Sequence, residues 1–324
     1  MPFSHFLGQE HIIVYVQKTL ARGMLSHALL FTGPRGTGKK TLALMVAQAV
    51  NCEEEKAPCG VCLSCRKTVS LQHPDVRVIA REGTGIKIEQ MRRIKQEAAL
   101  QPYEGSKKVF IIEDAEDMNA TAANSLLKIL EEPPPYLLFI LLSSRPQALL
   151  PTIRSRCQAF PFRRVSEEKI AEFLRQENDL LPGEARTFAS LAQGSVGRAL
   201  ELMKDKSFEE LRERVCGFFS DLGETDEGET FSLAEKMAEE KDVPLFLDLM
   251  LLFLRDILLQ KRLKNPNMLY YSDFTTNLNR FMHIAETDIL KAVRAILYTR
   301  KELAVPVNQK LALGVLLLEL KEVI

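Results

Sequence analysis

A glycine-rich stretch with adjacent lysines, Thr32–Thr41 (TGPRGTGKKT), is the first part of the chain whose spacing suggests chemistry. It follows most of the phosphate-loop pattern G-x-x-x-x-G-K-[ST], with Gly33, Gly38 and Lys39 in place and Gly36 inside the loop. Glycines let backbone N–H groups turn toward phosphate oxygens, and the lysine reaches the β- and γ-phosphates. The stretch predicts a nucleotide site, or descent from one; the alternative is a glycine turn with no ligand.

The residues expected to hold Mg²⁺ depart from the pattern of a working ATPase. The hydroxyl position is Lys40, and Thr41 comes one residue too late. The acidic pair that should follow a later strand is Glu113-Asp114, whereas such ATPases use Asp for the metal and then Glu for the water. These departures predict poor Mg²⁺ geometry and little or no turnover. A solvated acidic turn is the alternative interpretation of the charge run that begins at Glu113.

Four cysteines within 14 residues form the second candidate site. Cys52, Cys59, Cys62 and Cys65 give C-x₆-C-x₂-C-x₂-C, and Gly60 suits the tight turn of a C-x₂-C pair. Four thiolates around one tetrahedral ion leave no open position, which is typical of structural Zn²⁺. We therefore predict a structural zinc site, with an iron–sulfur cluster or free thiols as alternatives.

Alternating strands and helices must position these residues in the first half of the chain. Short apolar runs predict strands at 27–32, 75–80, 108–112, 136–142 and 158–162, with helices at 39–50, 88–100 and 119–131. Alternation of this kind favours a parallel sheet covered by helices on both faces. From about residue 166 only helical periodicity remains. The predicted fold class is thus α/β, followed by an all-α part.

Composition sets limits on the function. The chain has 324 residues, and 43 Lys and Arg balance 43 Asp and Glu, so the formal net charge is zero. A protein that grips DNA alone usually has a basic excess, so a nucleic-acid role would be local or shared with partners. The sequence has no apolar run long enough for a membrane span and no signal-peptide core. These features predict a cytoplasmic protein with no membrane partner.

Four segments together resemble the AAA+ clamp-loader subunits of bacterial DNA polymerase III. They are HALLFTGPRGTGKKTLA, the insert ending CGVCLSC, NSLLKILEEPP and TIRSRCQAF. The resemblance covers about residues 3–200. It implies an AAA+ RecA-like P-loop domain at 1–163 with the zinc module at 52–65. A helical lid domain at 164–205 and an all-α collar for oligomerisation at 206–324 complete the implied organisation.

Within that family, departures favour the delta-prime branch over the gamma/tau motor branch. Motor subunits carry an intact G-K-[ST], broken here by Lys40, and the usual acidic order, reversed here. Their phosphate-sensing arginine falls on Gly197, with Arg198 displaced by one. The polar sensor of the fourth strand falls on Ser144. Together these changes imply a retired nucleotide site, and ATP binding without hydrolysis stays open.

One functional part implied by the resemblance is intact. Ser155-Arg156-Cys157 matches the family's SRC motif, whose arginine acts as a finger in a neighbouring subunit's ATP site. From the residues alone, a surface arginine making structural ion pairs is favoured, and the resemblance reverses that preference. The implied partners are gamma/tau and delta subunits in a hetero-oligomer. Through that complex they include the sliding clamp and primer–template DNA.

Two other functions remain as alternatives. The first is a catalytically active gamma/tau-like clamp-loader ATPase. The second is a zinc-dependent DNA-binding module with a vestigial P-loop. Arg92 and Lys95 lie near one face of a predicted helix that corresponds to a DNA-proximal part of the family, but a solvated helix face is the favoured interpretation.

Overall fold

The computed structural model describes residues 3, 6–83, 85–178, 180, 182–205, 207–263, 268–303, 305 and 307–323. The chain divides into two compact units. The first unit comprises Met1–Ser166 with Gly194–Gly197, and the second comprises Glu167–Gln193 with Arg198–Ile324.

A five-stranded parallel sheet forms the centre of the first unit and confirms the predicted fold class. Its strands are β1 Ala28–Thr32, β2 Val76–Ile79, β3 Lys108–Ile112, β4 Leu137–Ser143 and β5 Gln158–Pro161. They are ordered β2-β3-β4-β1-β5, with every neighbouring pair parallel. All residues of β3 and β4 are buried, as expected for strands covered on both faces.

Within the described residues, six α-helices of the first unit accompany the sheet. They are α1 Glu10–Ala21, α2 Lys39–Val50, α3 Leu63–Val69, α4 Ile88–Ala98, α5 Ala120–Glu131 and α6 Pro151–Arg154. Alternate residues of β1 enter two different cores: Leu29 and Phe31 pack with α1 and α2, whereas Leu30 packs with α4 and α5. The period-2 pattern of the strand thus attaches helices to both faces of the sheet.

Helix ends in this unit follow from local chemistry. The Asn119 side chain caps α5 by accepting from the Ala122 N–H, and the run Pro133–Pro135 prevents the helix from continuing. The short helix α3 is not among the helices predicted from the sequence. It begins after Cys62, whose sulfur accepts from the Cys65 N–H, and cysteine is not a usual cap.

The described residues of the second unit form helices joined by loops, without a strand, as predicted. Its helices are α7 Glu167–Asn178, α8 Pro182–Leu191, α9 Val196–Lys204 (which begins in the first unit), α10 Phe208–Glu224, α11 Glu227–Ala238, α12 Val243–Leu263, α13 Thr275–Arg280, α14 Glu286–Glu302 and α15 Gln309–Lys321. Stacked rings of Phe219 and Phe253, with centroids 4.9 Å apart, lie in its core. The buried Arg212 bonds Asp273 at 2.7 Å and lies over the Tyr271 ring.

Candidate functional site

The glycine-rich loop joins β1 to α2 at the carboxyl edge of the sheet. Gly33, Gly36 and Gly38 have φ angles of 134°, 72° and 89°, which residues with a Cβ rarely adopt. A Cβ on Gly33 would also lie 2.3 Å from the Phe162 carbonyl oxygen, so only glycine fits at that position. The conformation of the loop therefore depends on these glycines.

The Lys39 ammonium is turned back onto this loop. Its Nζ donates to the carbonyl oxygens of Gly33, at 2.6 Å, and Pro34, at 2.7 Å. Burial lowers the pKa of Lys39, while the nearby carboxylates of Glu116 and Asp114 act in the opposite direction. The side chain predicted to hold phosphates is thus satisfied by the loop's own backbone.

The two carboxylates predicted to serve Mg²⁺ and water each have a cationic partner from the same chain. Lys40 Nζ lies 2.7 Å from Glu113 Oε1, and Arg35 Nη2 lies 3.2 Å from Asp114 Oδ1. Thr41, the displaced hydroxyl residue, is exposed. An ammonium beside the first carboxylate repels a dication, so the geometry disfavours a metal held by Glu113.

A buried carboxylate beside this loop was missed in the sequence. Glu116 Oε1 accepts from the Ser144 hydroxyl at 2.7 Å and from the Ser144 and Arg145 N–H groups. Burial alone would raise the pKa of Glu116, but the Ser144 hydroxyl and further hydrogen bonds lower it below its ordinary value. The predicted polar sensor Ser144 is therefore engaged by an acid, and this member of the acidic run is not solvated.

The segment that corresponds to the family's phosphate sensor also has partners within the chain. The Gly197 N–H donates to the Gly36 carbonyl oxygen at 3.3 Å, so the residue in the sensor position contacts the phosphate loop through its backbone. The displaced Arg198 belongs to the second unit and lies 3.6 Å from the Asp242 carboxylate. A charged sensor at position 197 is absent because that residue is glycine.

Arg156 lies between α6 and β5, away from the glycine loop. Its Nη2 donates to Glu131 Oε1 at 2.7 Å and its Nη1 to the Thr152 carbonyl oxygen at 3.1 Å. It precedes Gln158, which pairs with Leu29 near the start of β1. Since the strands are parallel, Arg156 and the loop that follows β1 are at opposite edges of the sheet.

The four cysteines come together between α2 and α3 as predicted. Their sulfur atoms all lie within 4.8 Å of one another, and those of Cys59 and Cys65 are 3.9 Å apart. Backbone N–H groups of Cys62 and Val61 point at the Cys59 sulfur and lower its pKa to about 7. The cluster can hold one metal ion.

Two buried side chains hydrogen-bond to residues at and next to the cysteine cluster. The Gln48 side chain donates to the Cys65 carbonyl oxygen, and the buried His73 ring contacts the Ser64 hydroxyl at 3.1 Å. His73 is therefore not a fifth member of the cluster. Burial lowers its pKa, against the effect of nearby carboxylates.

The Asp75 carboxylate fixes the loop before β3. It accepts from the N–H groups of Tyr103, Glu104 and Gly105 at 2.7, 2.8 and 2.8 Å. Burial alone would raise the pKa of Asp75, but these three N–H groups lower it below its ordinary value. Glu104 in turn pairs with Lys67 of α3 at 2.7 Å, which connects this loop to the cysteine module.

Two predictions from charge and hydropathy concern the surface. Arg92 and Lys95 are both exposed on α4. Within the described residues, no helix is long and apolar enough to cross a membrane.

Known families and proteins match nearly the whole chain. Residues 8–166 match the family described as "DNA polymerase III, delta subunit", and residues 206–322 match its C-terminal family. The DNA polymerase III subunit delta' of Bacillus subtilis is 32% identical over 320 residues, covering 97% of this chain and 96% of that protein. The tau subunit of the same organism is 37% identical over 213 residues, which is 62% of this chain and 37% of tau.

A solved structure shows the same fold. The crystal structure of a DNA polymerase III gamma subunit-related protein from Thermotoga maritima superposes with a TM-score of 0.50 at 20% identity. The alignment covers 95% of this chain and 99% of that one. At this identity the match concerns the fold alone.

Proposed function

We propose a function from the premise that the chain belongs to the family of DNA polymerase III delta-prime subunits. It acts in a clamp loader as a largely non-hydrolysing subunit that donates Arg156 to the ATP site of a neighbouring motor subunit. Its partners are gamma/tau and delta subunits, and through the complex it helps load the sliding clamp on primed DNA. This role implies a cytoplasmic location, where bacterial DNA is replicated.

The position of Arg156 in the sheet carries this proposal. Gly33 comes four residues after Leu29, about 13 Å further along β1 at 3.3 Å per residue. Arg156 precedes the strand residue paired with Leu29, so it lies beyond the opposite end of that span. An arginine side chain does not reach across this distance. Arg156 can serve a phosphate of another chain, where a planar, permanently charged guanidinium stabilises charge at the γ-phosphate.

The contacts of the chain's own nucleotide loop support the non-hydrolysing part of the proposal. Lys40 neutralises Glu113 where a metal would be needed, and Lys39 is bound by loop carbonyls. A nucleotide that entered the loop would first have to displace Lys39 from these oxygens. We infer that hydrolysis is weak or absent, and that any ATP binding depends little on Mg²⁺.

Zinc is the metal that we propose for the cysteine cluster. Four sulfurs about 2.3 Å from one tetrahedral ion are about 3.8 Å apart. The sulfurs of Cys59 and Cys65 are 3.9 Å apart, so small side-chain movements complete the site. The ion would close the insert between α2 and α3, and with four sulfur ligands it has a structural role.

Helices α14 and α15 supply the surface that we propose for assembly in the collar. Leu290 and Leu297 on α14 are each 48% exposed, and Leu311, Val315 and Leu318 lie at helical spacing on α15 with substantial exposure. Exposed apolar stripes on two neighbouring helices are typical of subunit interfaces. The division of residues 164–324 into a lid at 164–205 and a collar at 206–324 belongs to this proposal.

Reconstitution with motor subunits, delta, clamp and primed DNA tests the function. We expect Arg156→Ala to assemble normally and to lower the DNA-stimulated ATPase by 10³-fold or more at the neighbouring site, the range of arginine-finger losses. Arg154→Ala is the matched control, because Arg154 ends α6 two residues before Arg156, and its exposed side chain has no hydrogen bond or ion pair with the described residues. An unchanged rate at the site next to this subunit contradicts the proposal.

The isolated chain distinguishes the two other functions. An active ATPase requires Mg²⁺-dependent turnover that Lys39→Ala abolishes. A zinc-dependent DNA-binding module requires affinity for DNA without partners, falling steeply with salt. We expect neither activity.

A further inference from the structure

The proposed finger is not free in this structure. Arg156 donates from Nη2 to the Glu131 carboxylate and from Nη1 to the Thr152 carbonyl oxygen, at 2.7 and 3.1 Å. Both terminal nitrogens of the guanidinium are thus occupied within the chain. These are the groups that would bind a phosphate of the neighbouring subunit.

The backbone fixes Glu131 where it can hold the finger. Glu131 is the last residue of α5, and the adjacent Leu130 is fully buried. On the other side, Ile153 of α6 is fully buried in the same hydrophobic core as Leu130. The two backbones are therefore anchored, while the side chains of Arg156 and Glu131 remain 36% and 50% exposed. The contact is accessible to an incoming partner.

We propose that Glu131 holds Arg156 in an idle position, from which the γ-phosphate of a neighbouring subunit's ATP displaces it. This inference rests on the proposed function and assigns Glu131 as a positioning residue for the same site. A carboxylate and a phosphate compete for the same planar donor groups of arginine. The finger then engages only when nucleotide and neighbour are both in place.

The size of the effect follows from the exposure of the pair. Exposed ion pairs change an equilibrium by about 1.4- to 5-fold. Removing the Glu131 charge should therefore favour the engaged finger by that factor. Since so weak a contact contributes little to folding, Glu131→Gln should fold normally.

The experiment compares Glu131→Gln with Glu132→Gln in the reconstituted complex with clamp and primed DNA. Glu132 is the adjacent exposed acid and forms no ion pair with the described residues. We expect Glu131→Gln to raise kcat/KM for ATP by about 1.4- to 5-fold and Glu132→Gln to leave it unchanged. In an Arg156→Ala background, Glu131→Gln should have no effect.

Two results would overturn the inference. One is an unchanged or lowered kcat/KM in Glu131→Gln. The other is the same increase with and without Arg156, which would place the effect elsewhere. Either result can occur while Arg156→Ala still abolishes the DNA-stimulated ATPase of the complex. In that case the arginine-finger role of Arg156 would be retained. An inactive Glu131→Gln together with a fully active Arg156→Ala would instead refute the proposed function.

A second measurement uses the isolated chain. Side-chain ¹⁵N resonances of Arg156 should shift and exchange faster with water in Glu131→Gln than in Glu132→Gln. Identical Arg156 spectra in the two variants would show that the pair is not formed in solution and would also overturn the inference.

Discussion

Replacing Asp75 by asparagine tests how the loop next to the cysteine module is held. The carboxylate is 1% exposed and accepts three backbone N–H groups, from Tyr103, Glu104 and Gly105. Asparagine has nearly the same shape but only one oxygen. In the favoured orientation that oxygen keeps the N–H groups of Glu104 and Gly105, which now share one carboxylate oxygen, and the amide NH₂ faces the N–H of Tyr103.

The expected loss of stability can be worked from these contacts. Hydrogen bonds to a charged group contribute about 1.5–3 kcal/mol each and those to a neutral group about 0.5–1.5 kcal/mol, so one bond is lost and the other two are weakened. Water reaches part of the loop and recovers some of the loss. We therefore expect Asp75→Asn to lower the free energy of unfolding of the first unit by about 3 kcal/mol. For a unit of 150–250 residues this is a decrease in Tm of roughly 6–12 °C.

The assay combines urea unfolding with amide hydrogen exchange. Exchange should accelerate at Tyr103, Glu104 and Gly105 in the variant. The folded pKa of Asp75 lies below its ordinary value, so its ionised form stabilises the fold at neutral pH. That contribution is lost as the pH falls below about 4, toward the folded pKa. The difference between wild type and variant should be constant from about pH 5 to 8 and shrink below about pH 4.

Glu104→Gln is the matched control, since it removes one negative charge from the same loop. Glu104 pairs with Lys67 at the surface, and such pairs are worth about 0–1 kcal/mol. If Asp75→Asn and Glu104→Gln destabilise equally, or if amide exchange in the loop is unchanged, the assignment of Asp75 as its anchor is wrong.

The remaining predictions concern the metal and the nucleotide. Cys62→Ser should reduce bound zinc from one ion per chain to none and lower Tm, whereas Cys157→Ser should keep the ion. Elemental analysis by mass spectrometry measures both, and full zinc in Cys62→Ser contradicts the site. In Lys40→Thr, Mg²⁺ should raise the affinity of the isolated chain for ATP by about tenfold or more, because the substitution removes a positive charge from the position of the metal. Titration with fluorescent ATP measures this, and no Mg²⁺ dependence in the variant contradicts the role given to Lys40.

Continuous apolar runs made the sheet predictable from the sequence. KVFII was assigned as 108–112 and is β3 with the same bounds, because a strand buried on both faces leaves a run of apolar residues. Helix α2 was likewise predicted with its observed bounds, since the glycine loop marks its start. By contrast, α3 has seven residues and a cysteine cap, so neither propensity nor capping pattern signals it.

The candidate site was predictable in its residue types but not in its contacts. The four cysteines are close in sequence, and their spacing was enough to bring them together. Glu116 has acidic neighbours on both sides within three residues, and only the turn of the backbone buries it. Glu131 ends α5, whereas Arg156 lies 25 residues further along the chain in the turn between α6 and β5. Their pairing depends on tertiary packing, which no local pattern reports.

Arg156 and the glycine loop lie at opposite edges of one sheet, so the subunit has two different surfaces at the two ends of its parallel strands. Subunits that associate through such unlike edges join head to tail, and each interface brings the arginine edge of one to the loop edge of the next. Under the proposed function, a subunit whose own loop does not hydrolyse ATP needs no arginine from a neighbour on that side. In a head-to-tail assembly we therefore expect such a subunit at one end. The sequence changes around Lys40 would then specify the order of subunits as well as the loss of an activity.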